Sequence, residues 1–493
     1  MSFSESDARI SPTREKFRGS WTPGKSLVML RRILSDGPTP RELFRSLPSG
    51  EGNVLLESQN GPYEFARYCI LASEPDIVFR YQAGRWRLAG EGEVEGEGNP
   101  FPVIQQIVDR RAVASEEGIP FTGGAVGYFG YDLVHLFEDV GGDNPDPLNI
   151  PHMVLFFYDR FYLRDRKTGE WIAGVRVACE GDAETAYDRG LSDLESLAAR
   201  LRGPFPPRRQ CDADPASVRF LGDEATYADR AGRILRHITE GDVYQVNYSQ
   251  RCEIQCPDLD PWEVFESVSQ INPAPFAAYL DMGGFQVISN SPERLVVVVG
   301  RQIYDRPLAG TIRRLPDMPD SERFQALVSD PKEAAEHRML VDLERNDLGR
   351  ICEYGSIRVT DLMIPEICSH LIHICSNMTG TLRRDAGLFE IFRAVFPGGT
   401  ITGVPKVRCM EILEQLEDLK RSIFYGSIGY LSYDGQVQLS ILIRTLLAKQ
   451  NRLYFQVGGG VVADSKPERE YRESRLKAEA MLEAATGRTR ETP

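Results

Sequence analysis

Residues 456–480 read QVGGGVVADSKPEREYRESRLKAEA. The first part has the apolar character of a strand, interrupted by Gly458, Gly459 and Gly460. From Pro467 onward the spacing turns helical. On that helix Glu470, Glu473 and Lys477 fall at i, i+3 and i+7, so two carboxylates and an ammonium share one face. A salt-bridged surface helix would account for that face, and so would a helix that presents ligands to a cation. Upstream a helix runs into a strand. TYADRAGRILRHITEG (226–241) is helical, with Tyr227, Ile234 and Ile238 on one stripe and Gly241 past its end. DVYQVNYSQRCEI (242–254) then alternates, with Gln245, Asn247 and Ser249 on one side and Tyr244, Val246 and Tyr248 on the other. Short strand-like runs crowd residues 20–200: NVLLES, RYCILAS, IVFRYQ, RWRLAG, MVLFFYDRFYLRD and WIAGVRVAC. Hairpin-like strand pairs with helices set among them predict an α+β fold with large antiparallel sheets, not a doubly wound βαβ array.

The 493 residues suffice for two or three ordinary domains or one large one. A net charge of −14 and the lack of a long Lys/Arg run argue against nucleic acid. Any anionic ligand must therefore be held by a local cluster. MSFSESDARISPTREKF has no apolar signal core, and no apolar run is long enough to span a bilayer. The nine scattered cysteines include no CxxC, which fits a reduced, cytoplasmic setting and does not support zinc. EGEVEGEGNP (91–100) and DVGGDNPDPLNIPH (139–152) read as loops. RGPFPPRRQCDADPAS (202–217) is the boundary between a region at 20–201 and a second at 218–485.

Candidate chemistry sits mostly in the second region. In SDPKEAAEHRMLVDLERNDLGR (329–350), Asp330, Pro331 and Glu333 form a capping-box pattern, and Glu336 shares a stripe with Leu340 and Leu343. Alone, Glu336 reads as an acid at the stripe's edge. Together with Glu470 and Glu473 it makes three carboxylates from two helices, a donor set suited to a hard cation such as Mg²⁺. QLSILIRTLLA (438–448) places Arg444 inside an apolar strand, where its guanidinium needs either an internal acid or a substrate carboxylate. Gly458–Gly460 would let backbone N–H groups approach an anion, or would mark a β-bulge. His373, in CSHLIHICSNMTG, is alone in a strand-like run, where histidine is ordinarily structural. FPGGTITGVPKVRCMEIL (396–413) fails the Walker pattern and reads as a tight loop with Pro405 opening a helix.

RPLAGT, EHRMLVDLERNDLGR, FPGGTITGVPKVRCMEI, YGSIGYLSYDG, SILIRT, VGGGVVADSKPEREY and ESRLKAEAM stand in the order and spacing of the chorismate-utilising enzymes, and LLES (55–58) and GGAVGYFGYDLV (123–134) extend the resemblance to the first half. The resemblance implies two large antiparallel sheets packed between helical layers. It makes 20–201 an N-terminal anthranilate-synthase-component-I-like region and 218–485 the chorismate-binding catalytic region. It implies chorismate and Mg²⁺, with Glu336 and Glu473 as metal ligands and Glu470 a partner through metal-bound water. His373 would stand beside the departing C4 hydroxyl. Arg444 and the backbone of Gly458, Gly459 and Gly460 would clamp the enolpyruvyl carboxylate, Gly310 and Thr311 would be ring-carboxylate and ring-side contacts, and Lys477 would be a further carboxylate contact. Phe424 departs from the family's hydroxyl-bearing aromatic.

Family members that add water carry a lysine where this chain has Gln245, so ammonia is the expected nucleophile. None of the cysteines has a glutaminase setting, so a separate glutamine amidotransferase partner is expected. VYQVN, PGGTITG and GGG resemble aminodeoxychorismate synthase component I, which leads to 4-aminobenzoate and folate; this is the expected activity. The alternative is anthranilate synthase component I, of the tryptophan pathway, which Ala309 in RPLAGT favours, as does LLES. Ser58, with Asn272, Pro273 and Ala274, would then belong to a regulatory amino-acid pocket. A catalytically silent amino-acid-binding regulator is a further alternative. Intact Glu336, Glu473, His373, Arg444 and Lys477 argue against it.

Overall fold

The structure is a computed structural model that describes residues 8–34, 37–206, 217–257, 259–314, 318–367 and 371–486. Residues 207–216, the heart of the expected boundary, and 368–370, at the head of the His373 run, lie outside the described residues, as do 1–7.

Alternating apolar residues drive strand formation throughout, and the strands gather into two sheets, of 13 and 12 strands among the described residues. Every strand pairing in the two sheets is antiparallel. The main core lies between them, with Phe79, Phe156 and Val296 of one sheet against Leu280, Val287 and Leu447 of the other. A second core lies under helices on the outer face of the larger sheet, and includes Trp171, Leu194, Phe265 and Ala478. The expected α+β architecture is therefore what the chain adopts.

Both sheets contain strands from both sequence regions. In the larger sheet Val54–Glu57 pairs with Phe276–Asp281. In the other, Gly124–Phe129 pairs with Ser427–Ser432, and Gly127 faces Gly429 across the seam. Added Cβ atoms at Gly127 and Gly429 would each stand 1.9 Å from a carbonyl oxygen, of Val154 and Gln438. Those oxygens belong to the flanking strands Met153–Tyr158 and Val437–Ile441, so the sheet closes on either side of the seam only because both residues lack a side chain.

Three local expectations change. EGEVEGEGNP holds an exposed edge strand, Val94–Glu97, because pairing with Arg85–Ala89 recruits it. MVLFFYDRFYLRD is not one strand: Met153–Tyr158 belongs to one sheet and Arg160–Asp165 to the other. The glycines do not break their strand. Arg452–Val462 runs through Gly458–Gly460 in unbroken register with Gln245–Gln255, and no bulge forms.

The helix Pro467–Thr486 buries Ser474, Ala478, Met481 and Ala485, a stripe at helical spacing. Tyr471 at its first turns stacks on Tyr227 of Glu224–Thr239 at 5.6 Å, and Tyr227 meets Tyr248 at 5.0 Å. Asp223 caps that second helix through the Thr226 N–H at 2.8 Å. These contacts set the rotation of Pro467–Thr486, and so the direction of Glu470, Glu473 and Lys477. Replacing Gly127 by alanine should lower stability on the order of 3 kcal/mol, since backbone rather than a movable side chain blocks the methyl. Chemical denaturation of the variant measures it; an unchanged midpoint would mean the seam is looser than this packing.

Candidate active site

Glu336 lies on the helix Pro331–Gly349. Asp330 caps that helix through the Lys332 N–H at 2.9 Å. The expected capping box does not close, because Glu333 turns towards Gly310: a Cβ there would be 3.0 Å from Glu333 Oε2. Gln245 Nε2 donates to Glu336 Oε1 at 3.0 Å. Burial raises Glu336 above the usual carboxylate range, and Glu470 and Glu473 push it further, so the two helices do bring their acids together. Burial and Glu336 likewise raise Glu333. Glu473 is pushed up by burial but held below the usual range by Lys477, whose Nζ stands 2.9 Å away, and by Arg469 and Lys332. Ser465 Oγ donates to Glu470 Oε1 at 2.8 Å.

Each glycine of the neighbouring strand makes way for something different. A Cβ on Gly460 would lie 2.1 Å from Gln245 Nε2, and one on Gly458 would lie 2.1 Å from Tyr248 O. Gly459 leaves the space between Lys477 Nζ and Glu470 Oε2, 3.5 and 3.9 Å from where its Cβ would be. Lys477 Nζ also donates to Gly458 O at 3.3 Å. The glycine strand and the acidic helix face thus enclose one space.

Arg444 is not inside a strand. Val437–Ile441 belongs to one sheet and Thr445–Lys449 to the other, and Arg444 lies where the chain crosses, with φ of 50°. Such a backbone costs about 1 kcal/mol or more in a side-chain-bearing residue and is a mark of functional positions. A second crossing, from Gln286–Ser291 to Arg294–Val299, runs beside it and carries Glu293. Asn290 N–H donates to Arg444 O at 3.1 Å and Ile441 N–H to Glu293 O at 3.0 Å, so the crossings brace each other. Burial pushes Glu293 up to about 7, with Thr400, the Leu308 N–H and Arg444 offsetting part of the rise. No feature of periodicity marked Glu293. It follows a proline at the end of a strand, and its burial depends on the sheets meeting there.

His373 lies in Leu371–Thr381. Its Nδ1 is 2.9 Å from Thr311 Oγ1, across from a bulge at Gly310, whose φ of 73° suits glycine. Burial lowers His373 to about 4, helped by Arg444 and Lys477, so the ring is neutral at pH 7. Arg444 and Lys477 thus both lie near His373. Four buried polar atoms around this space have no hydrogen-bond partner among the described residues: His373 Nε2, Gln245 Oε1, Asn247 Oδ1 and Thr400 Oγ1. The Thr400 hydroxyl sits beside Glu293 without meeting hydrogen-bond geometry. Buried polar atoms are rarely left so, and a polar ligand would satisfy them.

Glu336, Glu470 and Glu473 fit a hard cation. Glu470 and Glu473 act on Glu336, and beside Lys332, Lys477 and Arg469 the three leave a donor set rich in carboxylate oxygens. They are not gathered as closely as His237, Glu240 and Asp242, whose donor atoms lie within 4.8 Å of one another on an exposed helix end. There Asp242 is already paired with His237 and Arg408, at 2.8 and 3.1 Å. A looser carboxylate set suits Mg²⁺, which keeps waters and substrate oxygens.

Phe424 is buried with its ring under Arg251, at 5.4 Å from the guanidinium carbon. Ser58 is elsewhere. It lines a cavity of about 720 Å³ between the sheets, with Phe65, Tyr68, Pro275, Arg294 and Tyr430. Asn272, Pro273 and Ala274 are not among its lining residues; they lead into Pro275, which is. Ala274 N–H donates to Gln59 Oε1 at 3.0 Å, Asn60 Nδ2 to Pro273 O at 2.7 Å, and Asn290 Nδ2 to Asn272 O at 2.8 Å. Among the described residues no helix is long and apolar enough to cross a membrane.

Residues 51–483 match the family described as chorismate binding enzyme. Anthranilate synthase component 1 of Pseudomonas aeruginosa is 37% identical over 485 residues, covering 96% of this chain and 98% of that one. Its counterpart in Acetivibrio thermocellus is 34% identical over 467 residues, covering 92% and 94%. The crystal structure of anthranilate synthase component I from Streptococcus pneumoniae superposes with a TM-score of 0.76 at 31% identity, covering 84% of this chain and 92% of that one. The menaquinone-specific isochorismate synthase from Escherichia coli, 14% identical, shares the fold with a TM-score of 0.72 over 96% and 98% of the two chains.

Because Glu293 holds its proton to about 7 when folded and to an ordinary 4.5 when unfolded, the native state binds more protons between those values. Stability from this group therefore falls as pH rises through that window. Glu293→Gln should gain on the parent by up to ~3 kcal/mol between pH 5 and pH 8. Denaturation of both proteins at the two pH values checks the sign; a parent that keeps pace with the variant would show Glu293 ionised throughout that range.

Proposed function

The chain belongs to the chorismate binding enzyme family, and we propose that within it the protein is the aminating component of an anthranilate synthase, converting chorismate and ammonia to anthranilate. The observation that carries this reading is the space ringed by Arg444, Lys477, the acids of two helices and four unpartnered polar atoms, a lining suited to a diacid with a hydroxyl. The names borne by the relatives support the ortho product. The expected preference for 4-aminodeoxychorismate finds no such support. The motifs behind it do not separate the two products: Gln245, Asn247 and Thr400 each keep an unpartnered polar atom at the space either substrate pose would share. Ala309 is different, being next to the Gly310 bulge and His373, and its methyl cannot bond covalently to a ring.

Mg²⁺ held by Glu336 and Glu473, with Glu470 behind a water, would neutralise the ring carboxylate and draw electron density from the ring. Arg444 and the glycine-strand backbone oppose the enolpyruvyl carboxylate. Neutral His373, fixed by Thr311, offers Nε2 to the C4 hydroxyl. Ammonia bonds to C2 as the C4–O bond breaks and the hydroxyl leaves as water; loss of the side chain as pyruvate then makes the ring aromatic. Glu293, near 7, is the buried acid of this space able to give or take a proton at neutral pH. Gln245 cannot deprotonate water, which leaves ammonia as the nucleophile. A glutamine amidotransferase subunit supplies it.

The inter-sheet cavity at Ser58 takes the regulatory amino acid in this reading. The turn that leads into its Pro275 reaches the site through Asn290, whose side chain holds Asn272 O and whose N–H holds Arg444 O.

With chorismate, Mg²⁺ and ammonium salt the chain should release fluorescent anthranilate, and with glutamine only once an amidotransferase is added. Product that appears as 4-aminobenzoate after lyase treatment would restore the para reading. Glu336→Gln and Glu473→Gln should each cost at least about 100-fold in kcat/KM while leaving the fold intact. Ser58→Ala should weaken inhibition by tryptophan about tenfold without changing uninhibited turnover. Equal inhibition of parent and variant would place the amino acid elsewhere.

A further inference from the structure

The LERNDLGR stretch (343–350) supplies nothing to the space described above, yet two of its acids point inward. Glu344 and Asp347 are 5% and 2% exposed, and Asp305 of the strand Gln302–Asp305 joins them at 4%. Lys406 Nζ meets Asp347 Oδ2 at 2.5 Å. Arg294 faces Asp305, and Arg350 faces Asp347 from the helix end. Asp305 Oδ1 accepts the Arg306 N–H at 2.6 Å. Asp305 Oδ2 is buried and has no donor among the described residues, although the Glu344 carboxyl stands against it. A hydrogen on Glu344 supplies that donor, and two carboxyls in contact cannot both be ionised. Burial, Asp305 and Asp347 push Glu344 well above the usual range, in the direction this contact requires.

The other oxygen of Glu344 faces the glycine loop. Glu344 Oε1 accepts the Gly399 N–H at 3.2 Å. The approach is close: a Cβ on Gly399 would lie 2.3 Å from Leu343 Cδ2 and 2.9 Å from Glu344 Oε1. The loop's carbonyls are taken in turn. Thr402 Oγ1 donates to Gly398 O and Gly399 O at 2.9 and 3.3 Å. Asn247 Nδ2 donates to Thr400 O at 3.0 Å and Arg421 Nη1 to Ile401 O at 3.1 Å. The Thr400 hydroxyl is what the loop leaves unpaired.

We propose that Glu344 is a positioning residue, whose carboxyl shares a hydrogen with Asp305 and holds the Gly399 N–H, fixing the 398–402 loop so that the Thr400 hydroxyl meets the substrate. The part concerning substrate rests on the chorismate reading. The holding of the loop does not. Full-length parent, Glu344→Gln and Glu344→Met are compared by hydrogen exchange of the 396–404 segment and by chorismate kinetics, with Glu344→Ala in place of Met should Met not fold. The amide of Gln accepts from Gly399 and donates to Asp305, so exchange and kcat/KM should stay within threefold of the parent. The methionine fills the space without accepting, so exchange of the loop amides should quicken at least tenfold and KM should rise more than kcat falls. Adding Thr400→Val to Glu344→Met should then cost little more, because both act through one hydroxyl. Unchanged exchange in Glu344→Met, a Gln variant as impaired as Met or unable to fold, or additive losses would each overturn the proposal. If the parent itself does not turn over chorismate, the functional reading fails, and the exchange arms still decide the role of Glu344.

Discussion

The site depends on two backbone hydrogen bonds. Asn290 N–H to Arg444 O and Ile441 N–H to Glu293 O join two chain segments as they pass, side by side, from one sheet to the other. A single crossing between sheets would leave backbone groups unpaired in a buried corner, at a cost of about 1–3 kcal/mol each. Two adjacent crossings pair with each other. The arrangement lets a cation and an acid be delivered into the interior from consecutive turns of backbone. It also explains why Arg444 is held at a positive φ: the chain has to change sheets within Leu442–Arg444, and the neighbouring segment fixes where.

Charge in the site follows from that geometry. Burial keeps His373 neutral, and Arg444 and Lys477 add to the effect. The acids lie on helices whose rotation is set by packing elsewhere: Tyr471 on Tyr227 for one, the Asp330 cap for the other. Lys477 pairs with Glu473, Lys332 and Arg469 stand near the same acids, and Arg444 lies near Glu293. In the proposed reading one carboxylate of the diacid goes to Arg444 and the other to the metal.

The sequence made legible what periodicity and spacing govern. The acidic face at Glu470, Glu473 and Lys477 needed only helical geometry, and Glu336 needed only its place beside Leu340 and Leu343. The alternation at Gln245, Asn247 and Ser249 likewise gave their common direction correctly. Tyr244 failed the pattern because the strand begins after it, leaving it exposed. What was not legible came from tertiary contact. Arg444 read as mid-strand because the apolar run continues through it, and apolar residues serve a sheet crossing as well as a strand. Glu333 matched a capping box whose reciprocal bond does not form, since the bulge at Gly310 offers its carboxyl another neighbour. The acids of LERNDLGR drew no reading from the sequence, because only the meeting of a strand, a helix and a loop buries them.

The choice between ortho and para amination shows how unequal motif positions are as evidence. Residues that pack backbone against backbone, such as the glycines beside Tyr248 and Gln245, are fixed by the fold and are the same for any chemistry performed on it. A residue can report on chemistry only if its side chain reaches the space where bonds change. Position 309 qualifies. It pairs with Ile374, next to His373, and directly precedes the bulge that turns Thr311 onto that ring. A lysine there would add a third cation to Arg444 and Lys477. Alanine adds neither charge nor nucleophile, so the bond to nitrogen has to come from ammonia itself, at the ring carbon made electron-poor by the carboxylate beside it.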